Sequence, residues 1–226
     1  MNAFLKKKST LILSVILITG VLVLNLTAQI SVREAMASLR HVPVAKVQTD
    51  KNTVALTFNL TESDNADLIL SKLGDKKATF FISREYLYLY SEQVKEIADK
   101  GHNIGLLERQ LKNSERAVVF DFLADRIEET AATTGVNCNL IRIENNKYDG
   151  EGINAIYSLG LYPVQWSADG YSESFHKGDI ILVENITELD RLLERIEKSG
   201  YATVPAEDLL IKGSYSVDID GTMLPD

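Results

Sequence analysis

Four carboxylate side chains in predicted loop regions carry the chemistry of an all-oxygen metal site. Carboxylate oxygens are the ligands that Mg²⁺ and Ca²⁺ prefer, and an ion held in this way can activate a bound water molecule. The four are Glu62, Asp64, Glu108 and Glu184. Since carboxylates in loops are usually only solvated, this hypothesis requires the four groups to lie within coordination distance of one another.

Nitrogen and sulfur ligands are scarce in this sequence. Cys138 is the single cysteine among 226 residues, which excludes an intramolecular disulfide and a thiolate-rich zinc site. We expect it to be a small, partly buried residue in a loop or at a strand end. One imidazole without partner ligands makes a weak metal site, so His102 does not indicate a zinc centre.

The composition is typical of a globular protein, with 45% hydrophobic and 25% charged residues. Removing about the first 40 residues leaves one domain of medium size. The formal net charge is −8, from 32 acidic and 24 basic residues. Because an acidic chain repels phosphate backbones, we expect no nucleic-acid partner.

The amino-terminal segment has the pattern of a membrane anchor. Lysines at positions 6–8 precede an apolar stretch, and residues 9–28 are enough to cross a hydrocarbon core of about 30 Å. The lysines should stay in the cytoplasm and send the rest of the chain outward. The alternative is a signal peptide that is cleaved, giving a secreted protein, but Leu26 at the −3 position before Ala28 suits signal peptidase badly. We therefore expect an uncleaved single-pass anchor in the cell membrane, with the carboxyl-terminal domain extracytoplasmic.

The chain divides into four predicted regions. They are the anchor or signal segment 1–28, a juxtamembrane stem 29–52, one α/β domain 53–212 and an exposed tail 213–226. The stem includes a possible short helix that is broken at Pro43. The tail has no hydrophobic periodicity, so it is expected to be exposed.

Within 53–212, short apolar strands alternate with amphipathic helices. The predicted strands are 54–58, 78–82, 140–143, 162–166, 180–183 and 201–204. The predicted helices are 65–73, 91–100, 115–133, 153–159 and 189–199, with a helical turn at 206–210. Ser63 or Asp64 is expected to cap the first helix, and Ser114 the third. The third helix has an apolar stripe at Val118, Phe122, Leu123 and Ile127. This alternation predicts βα units and a mostly parallel sheet. Periodicity leaves open whether that sheet closes into a barrel.

An ordered set of phrases resembles the polysaccharide deacetylase family (carbohydrate esterase family 4, the NodB-homology domain). The phrases are at 54–58, 77–82, 101–105, Arg142, 160–166, 178–182 and 200–201. They span about residues 53–211, and the resemblance implies an irregular (β/α)7-type barrel. The anchor, the stem and the apolar residue after Asn59 resemble the sporulation-associated branch of that family.

The resemblance implies a metal-dependent deacetylase site that has lost its chemistry in this chain. Family members hold a divalent metal with an Asp and two His, use an Asp as base, and protonate the leaving amine with a His. Asn59 stands where the base is expected, and Leu60 where the metal-binding Asp is. Leu107 and Leu111 replace the two His, whose spacing suggests one face of a helical turn, and Glu184 replaces the acid. We therefore expect no catalytic residues, no metal and no other cofactor.

Three residues remain that match the family and are candidates for residual ligand binding. Arg142 matches the family's arginine, while Trp166 and Asp169 match its fourth motif. The alternative is that Arg142 and Asp169 are no more than a solvated charge pair on the surface. His102 matches a histidine that is not a metal ligand in the family, so we interpret it as structural.

Three functional hypotheses follow. The first is a non-catalytic relative that binds cell-wall glycan or an envelope protein. The second is an active deacetylase that uses the carboxylate site for hydrolysis of N-acetylated cell-wall glycans. The third is a structural protein whose old cleft is filled by side chains such as Leu60, Leu107 and Leu111. An open concave site with aromatic walls would favour the first over the third.

Overall fold

The computed structural model describes residues 42–111, 116–144 and 150–226, together with Thr19. Residues 41–226 form one compact unit. The predicted anchor and the stem up to residue 41 lie outside the described residues, apart from Thr19. Among the residues described, no helix is long and apolar enough to span a membrane.

Eleven strands and seven α-helices make up the described part of the chain. The strands are β1 Lys46–Val47, β2 Thr53–Leu60, β3 Thr79–Ile82, β4 Asn103–Glu108, β5 Leu140–Ile143, β6 Tyr162–Pro163, β7 Ala168–Asp169, β8 Ile180–Leu182, β9 Ala202–Val204, β10 Tyr215–Val217 and β11 Thr222–Pro225. The helices are α1 Ala66–Leu73, α2 Arg84–Leu89, α3 Ser91–Asp99, α4 Arg116–Thr134, α5 Gly150–Ser158, α6 Leu189–Lys198 and α7 Ala206–Leu209, with a 3₁₀ turn at Ile186–Glu188.

The main sheet is curled and its strand pairs are parallel, in the order β6-β5-β4-β3-β2-β8-β7. β9 pairs with the amino end of β2, at Thr53–Ala55, beside the segment that pairs with β8. In the described residues this path ends at β6 and β7, giving a half-barrel with helices. The predicted α/β class with a mostly parallel sheet is confirmed, because buried strands alternate with helices as the apolar runs indicated.

Alternate residues of β2 belong to two different cores. Leu56, Phe58 and Leu60 belong to the helix-side cluster, which also contains apolar residues of α1, α3 and α6. Ala55 belongs to the inner cluster, with Phe81, Leu107, Leu140 and Val164 among its members. This two-residue alternation follows from strand geometry and assigns position 59 to the inner side and position 60 to the helix side.

The end of the chain is part of the fold, so the prediction of an exposed tail at 213–226 is wrong. β11 pairs in parallel with β1 and antiparallel with β10, and Val217 and Met223 are fully buried. The strands are only three and four residues long, too short for periodicity to reveal. Part of the predicted stem belongs to the fold as well, since Lys46–Val47 form β1 of the same three-stranded sheet and Val44 pairs with Val164.

Gly221 forms the turn that seats this hairpin against β1. Its φ is +80°, and a Cβ there would lie 2.8 Å from the carbonyl oxygen of Pro43. The backbone N–H of Ala45 donates to the carbonyl of Gly221 over 2.8 Å. Only glycine combines this positive φ with so close a backbone approach.

Two local predictions need correction. Asn65, not Ser63 or Asp64, caps α1, because its side chain accepts from the Leu68 N–H. In α4 the predicted stripe is wrong at Val118, which is 57% exposed, since the helix turns polar residues such as Arg126 inward. The Ser114 cap lies outside the described residues.

Six strands and helices of the described residues were not predicted from the sequence, namely α2, β1, β4, β7, β10 and β11. The sequence at the start of β4 contains a glycine and does not show the pattern of a strand. Gly105 is required there because a Cβ would lie 2.6 Å from the Phe81 ring on β3. A small residue in a strand is typical of such close packing.

Candidate functional site

Asn59 and Arg142 are hydrogen-bonded on the inner side of the sheet. Asn59 lies near the carboxyl end of β2, in register with Phe81 of β3, which is in turn level with Gly105 of β4. Arg142 of β5 donates from Nη1 to Asn59 Oδ1 over 3.0 Å. Its guanidinium lies over the Phe81 ring, 4.0 Å from the centroid. The glycine at 105 thus makes room for the aromatic ring that supports the arginine.

Arg142 is fully buried and is held by the backbone on its other side. Its Nε donates to the carbonyl of Val164, and its Nη2 to the carbonyl of Gln165, each over 3.2 Å. The Trp166 ring centroid is 5.3 Å away, so Trp166 also lies beside the guanidinium. Stacking and several hydrogen bonds are what a buried guanidinium needs for stability. The interpretation of Arg142 as half of a solvated surface pair is therefore wrong.

Asp169 has a local role in a turn. Its Oδ1 accepts from the Tyr171 N–H over 2.9 Å and from the Ser172 hydroxyl over 3.1 Å. Short acidic side chains commonly close turns in this way. Arg142 and Trp166 are brought together by the fold, whereas Asp169 orders the loop after β7.

Leu60, Leu107 and Leu111 are buried in three separate apolar clusters. Their exposed fractions are 0%, 2% and 7%, and they belong respectively to the helix-side cluster, the inner cluster and a third cluster beneath α4. Leu107 lies in β4 and Leu111 in the coil after it, so the prediction that they share a face of a helical turn is wrong. The cause is that spacing alone cannot separate a strand end from a helical turn.

The structure does not assemble the four carboxylates of the predicted oxygen site. Glu108 accepts from Arg126 Nε over 2.8 Å on the helix side of β4. Burial raises the pKa of Glu108, and the neighbouring Arg126 opposes that rise. Glu62 and Glu184 are exposed. Within the described ranges no group of three His, Cys, Asp or Glu side chains lies close enough to hold a metal ion, so the structure does not bring these four carboxylates together.

Asp64 and Glu184 do share one feature, an open pocket of about 210 Å³ at the carboxyl ends of β2 and β8. The pocket is lined by Phe58, Asn59, Thr61, Asp64, Ile69, Leu182, Val183, Glu184 and Ile186. Asp64 Oδ2 accepts from the Thr61 N–H over 2.7 Å and from its hydroxyl over 2.8 Å. A ligand there would meet polar groups of Asn59, Thr61, Asp64 and Glu184 beside buried apolar side chains.

An exposed tyrosine stands beside this pocket. Tyr171 is 63% exposed and lines a smaller hollow that shares Val183 with the pocket. Its hydroxyl accepts from Asn185 Nδ2 over 3.3 Å, while Asn185 Oδ1 accepts from the Thr187 N–H and so caps the 3₁₀ turn. The sequence analysis missed Thr61, Tyr171 and Asn185. Thr61 and Asn185 each lie just after a predicted strand, which was the available signal, whereas Tyr171 lies well beyond the predicted strand 162–166.

His102 and Cys138 lie outside the pocket. His102 Nδ1 accepts from the Ala78 N–H over 3.2 Å, and its ring packs edge-on against Phe80. Burial, then the nearby lysines, lower the pKa of His102 to about 4, so the ring is neutral at physiological pH. Burial raises the pKa of the Cys138 thiol to about 11. These features agree with structural roles for both residues.

A family model described as polysaccharide deacetylase matches residues 46–164, just over half of the chain. This chain belongs to the polysaccharide deacetylase family. The match includes five of the positions discussed, namely Asn59, Leu60, Leu107, Leu111 and Arg142. No curated protein matches the chain.

Solved structures of polysaccharide deacetylase relatives share the fold. A family 4 carbohydrate esterase pseudoenzyme from Bacillus anthracis has a TM-score of 0.67 at 18% identity, over 76% of this chain and 69% of that one. A mutant of that pseudoenzyme with restored enzymatic activity gives 0.68 at 19%, over 76% and 72%. A peptidoglycan N-acetylglucosamine deacetylase gives 0.68 at 22%, over 76% and 94%.

Proposed function

We propose that this chain is a polysaccharide-deacetylase-like protein without deacetylase activity that binds cell-wall glycan outside the cytoplasm. One observation carries the proposal. Where the family resemblance places the base and the metal ligands, Asn59 is bonded to Arg142, and Leu60, Leu107 and Leu111 are buried in apolar clusters. We also propose that the curled sheet corresponds to the irregular (β/α)7-type barrel of the family.

The substitutions remove the chemistry step by step. An amide side chain accepts no proton at neutral pH, so Asn59 cannot serve as a general base. Leucine has no lone pair for a metal, and an unmetallated site cannot activate water in the way a bound ion does. Glu184 stands at the position of the acid, but a proton donor has no role without attack on the amide.

The open pocket favours ligand binding over a purely structural role. If the leucines filled the old cleft, no concave site would be expected at the ends of β2 and β8, yet about 210 Å³ remains there. Its polar groups and the neighbouring Tyr171 ring suit a sugar, which combines hydroxyls with apolar ring faces. The peptidoglycan N-acetylglucosamine deacetylase among the structural neighbours supports a glycan as the ligand class.

Purified residues 41–226 are expected to bind no Zn²⁺ or Co²⁺ stoichiometrically and to release no acetate from N-acetylglucosamine oligomers or peptidoglycan. Loss of a general base alone typically costs on the order of 10²–10⁴ in rate. The metal and the base act in the same step, the attack of water on the amide, so their two effects on the rate are not multiplied. The assay combines metal analysis of the desalted protein with acetate release, and an active family member serves as the positive control. Acetate release that a chelator abolishes and metal restores would refute inactivity.

We further propose that residues 1–28 anchor the protein in a bacterial cell membrane and that it acts in the cell envelope during sporulation. The lysines at 6–8 and the apolar stretch after them support the anchor. The likeness of the anchor, the stem and Leu60 to the sporulation-associated branch supports the cellular role.

The anchor can be tested by fractionation. Full-length protein is expected to remain in the membrane pellet after an alkaline carbonate wash, because an apolar segment of about twenty residues is held by the hydrocarbon core. Protease added to protoplasts is expected to digest the carboxyl-terminal domain. A soluble full-length protein, or a domain protected from protease until the cells are lysed, would contradict the proposed topology.

A further inference from the structure

The outward side of α2 is apolar. Four of the six residues of this helix are tyrosine or leucine. Tyr86 and Leu87 are buried, whereas Tyr88 and Leu89 are each 63% exposed, and Tyr90, directly after the helix, is 37% exposed. We call the exposed group of Tyr88, Leu89 and Tyr90 the α2 face. A helix that is apolar on both its inner and its outer side is typically covered on both sides.

α6 shows what a solvated helix of this protein exposes. Its buried residues are apolar, and all of its exposed residues are charged, namely Asp190, Arg191, Glu194, Glu197 and Lys198. A charged outer side opposite an apolar inner side is the usual pattern of a surface helix. The α2 face departs from this pattern, and grouped exposed apolar side chains of this kind mark an interaction surface.

Contacts with neighbouring elements hold the two tyrosines of the α2 face in place. The Tyr88 hydroxyl donates to Glu129 Oε1 of α4 over 2.8 Å. The Tyr90 ring packs against the ring of the buried Tyr86, with 4.8 Å between centroids, and its hydroxyl donates to the carbonyl of Glu62 over 3.4 Å. Rings that are already held in this way lose little further freedom when a partner binds them. Tyrosines in such positions are well suited to anchor a protein–protein interface.

Three exposed carboxylates border the α2 face. Glu85 lies on α2 itself, one helical turn before the exposed leucine. Glu62 provides the carbonyl that Tyr90 contacts. Asp67 of α1 accepts from Gln93 Nε2 over 3.4 Å, and the same Gln93 accepts from the hydroxyl of the tyrosine beneath Tyr90. The apolar centre of the surface is therefore surrounded by acidic groups.

The negative charge of this border is not neutralised by ion pairs. Within the described ranges none of the three carboxylates takes part in one. Arg84, the only cation of α2, is paired with Glu129. The border therefore repels an anionic lipid surface and also a second copy of the same face, whereas it attracts a cation.

We propose that the α2 face is the docking surface for a cationic, amphipathic segment of a partner protein. The apolar side chains of that segment cover Leu89 and the two tyrosine rings, and its lysine or arginine side chains pair with Glu62, Asp67 and Glu85. Such a segment lays its apolar side against an apolar surface, and complementary charges fix its orientation. This interaction is separate from the proposed glycan binding and does not depend on it.

The experiment measures peptide binding to the full-length chain in phosphatidylcholine nanodiscs by fluorescence anisotropy, with empty nanodiscs as the blank. Two labelled peptides carry leucine at the same helical spacing, and all their other positions are lysine in one and glutamate in the other. The protein variants are Leu89→Ser and Glu85→Lys. Ile219→Ser is the control for an exposed apolar residue, since Ile219 is 82% exposed on the hairpin. Glu197→Lys on α6 is the control for the change in net charge.

The natural protein is expected to bind the lysine peptide about tenfold or more tightly than the glutamate peptide, because the border is acidic. Leu89→Ser and Glu85→Lys should each weaken binding of the lysine peptide about tenfold, since one removes the apolar centre and the other reverses a border charge. Ile219→Ser and Glu197→Lys should change that affinity less than about twofold. Leu89 and Glu85 are both exposed, so the two variants should fold, which circular dichroism verifies.

Three results would overturn the inference. If the folded natural protein does not bind the lysine peptide, the α2 face has no cationic partner of this kind. If Leu89→Ser has no effect, or if Glu85→Lys weakens binding no more than Glu197→Lys does, the peptide responds to the net charge of the chain and not to the α2 face. If the tetramer of N-acetylglucosamine displaces the bound peptide, the face belongs to a glycan and not to a protein.

Discussion

Deletion of residues 213–226 is expected to lower the free energy of unfolding of the domain by more than about 3 kcal/mol. The deletion removes Val217 and Met223, both fully buried, and burial of each such side chain contributes about 1.5–3 kcal/mol. It also removes β11, the middle strand of the sheet that holds β1. Urea unfolding at 25 °C, followed by circular dichroism, measures the change.

Two point variants distinguish a loss of stability caused by lost packing from one caused by any change in the hairpin. Met223→Ala should destabilise by about 2–5 kcal/mol, because Met223 is fully buried in the inner cluster. Ile219→Asp in the same hairpin should change stability by less than about 0.5 kcal/mol, since Ile219 is 82% exposed. A truncated protein as stable as the full domain would show that the hairpin is dispensable, as the lack of periodicity at 213–226 suggests.

Strands and helices with continuous apolar patterns could be predicted, and the β5 range of 140–143 is matched residue for residue. The hairpin at 215–225 and the start of β4 could not, because both depend on partners far along the chain. Met223 pairs with Val47 of β1, which lies at the opposite end of the described domain. Such pairing leaves no local signal in strands of three and four residues.

The candidate site, too, could be predicted only in part from the sequence. The sequence resemblance selected Asn59, Arg142 and Trp166, which the fold brings together. It gave no direction for Leu60, and alternation along β2 places that side chain on the helix side, away from Asn59. The four carboxylates are not assembled, because Glu108 pairs with Arg126 while Asp64 and Glu184 line the pocket, and residue types alone cannot reveal this. Geometry, not residue chemistry, was the missing information.

Substitution of the family's residues into this chain is expected to yield an unfolded or inactive protein. The variant carries Asn59→Asp, Leu60→Asp, Leu107→His and Leu111→His. Leu60 is fully buried in the helix-side cluster, so a charge there would be buried among hydrophobic side chains. We expect Leu60→Asp alone to destabilise the domain by more than about 4 kcal/mol, as burial of an unpaired charge in a core does.

Asn59→Asp alone is the matched control, because its carboxylate still accepts from Arg142 and the fold should be retained. Urea unfolding and metal-dependent acetate release are measured for the control, for Leu60→Asp and for the fourfold variant. A relative of this fold exists as a pseudoenzyme mutant with restored activity, so recovery of function is the informative opposite result. Chelator-sensitive acetate release by the fourfold variant would mean that position 60 can turn toward the pocket. The three leucines would then lie in different clusters because of their own side chains, and the backbone would allow other side chains at these positions to point toward the pocket.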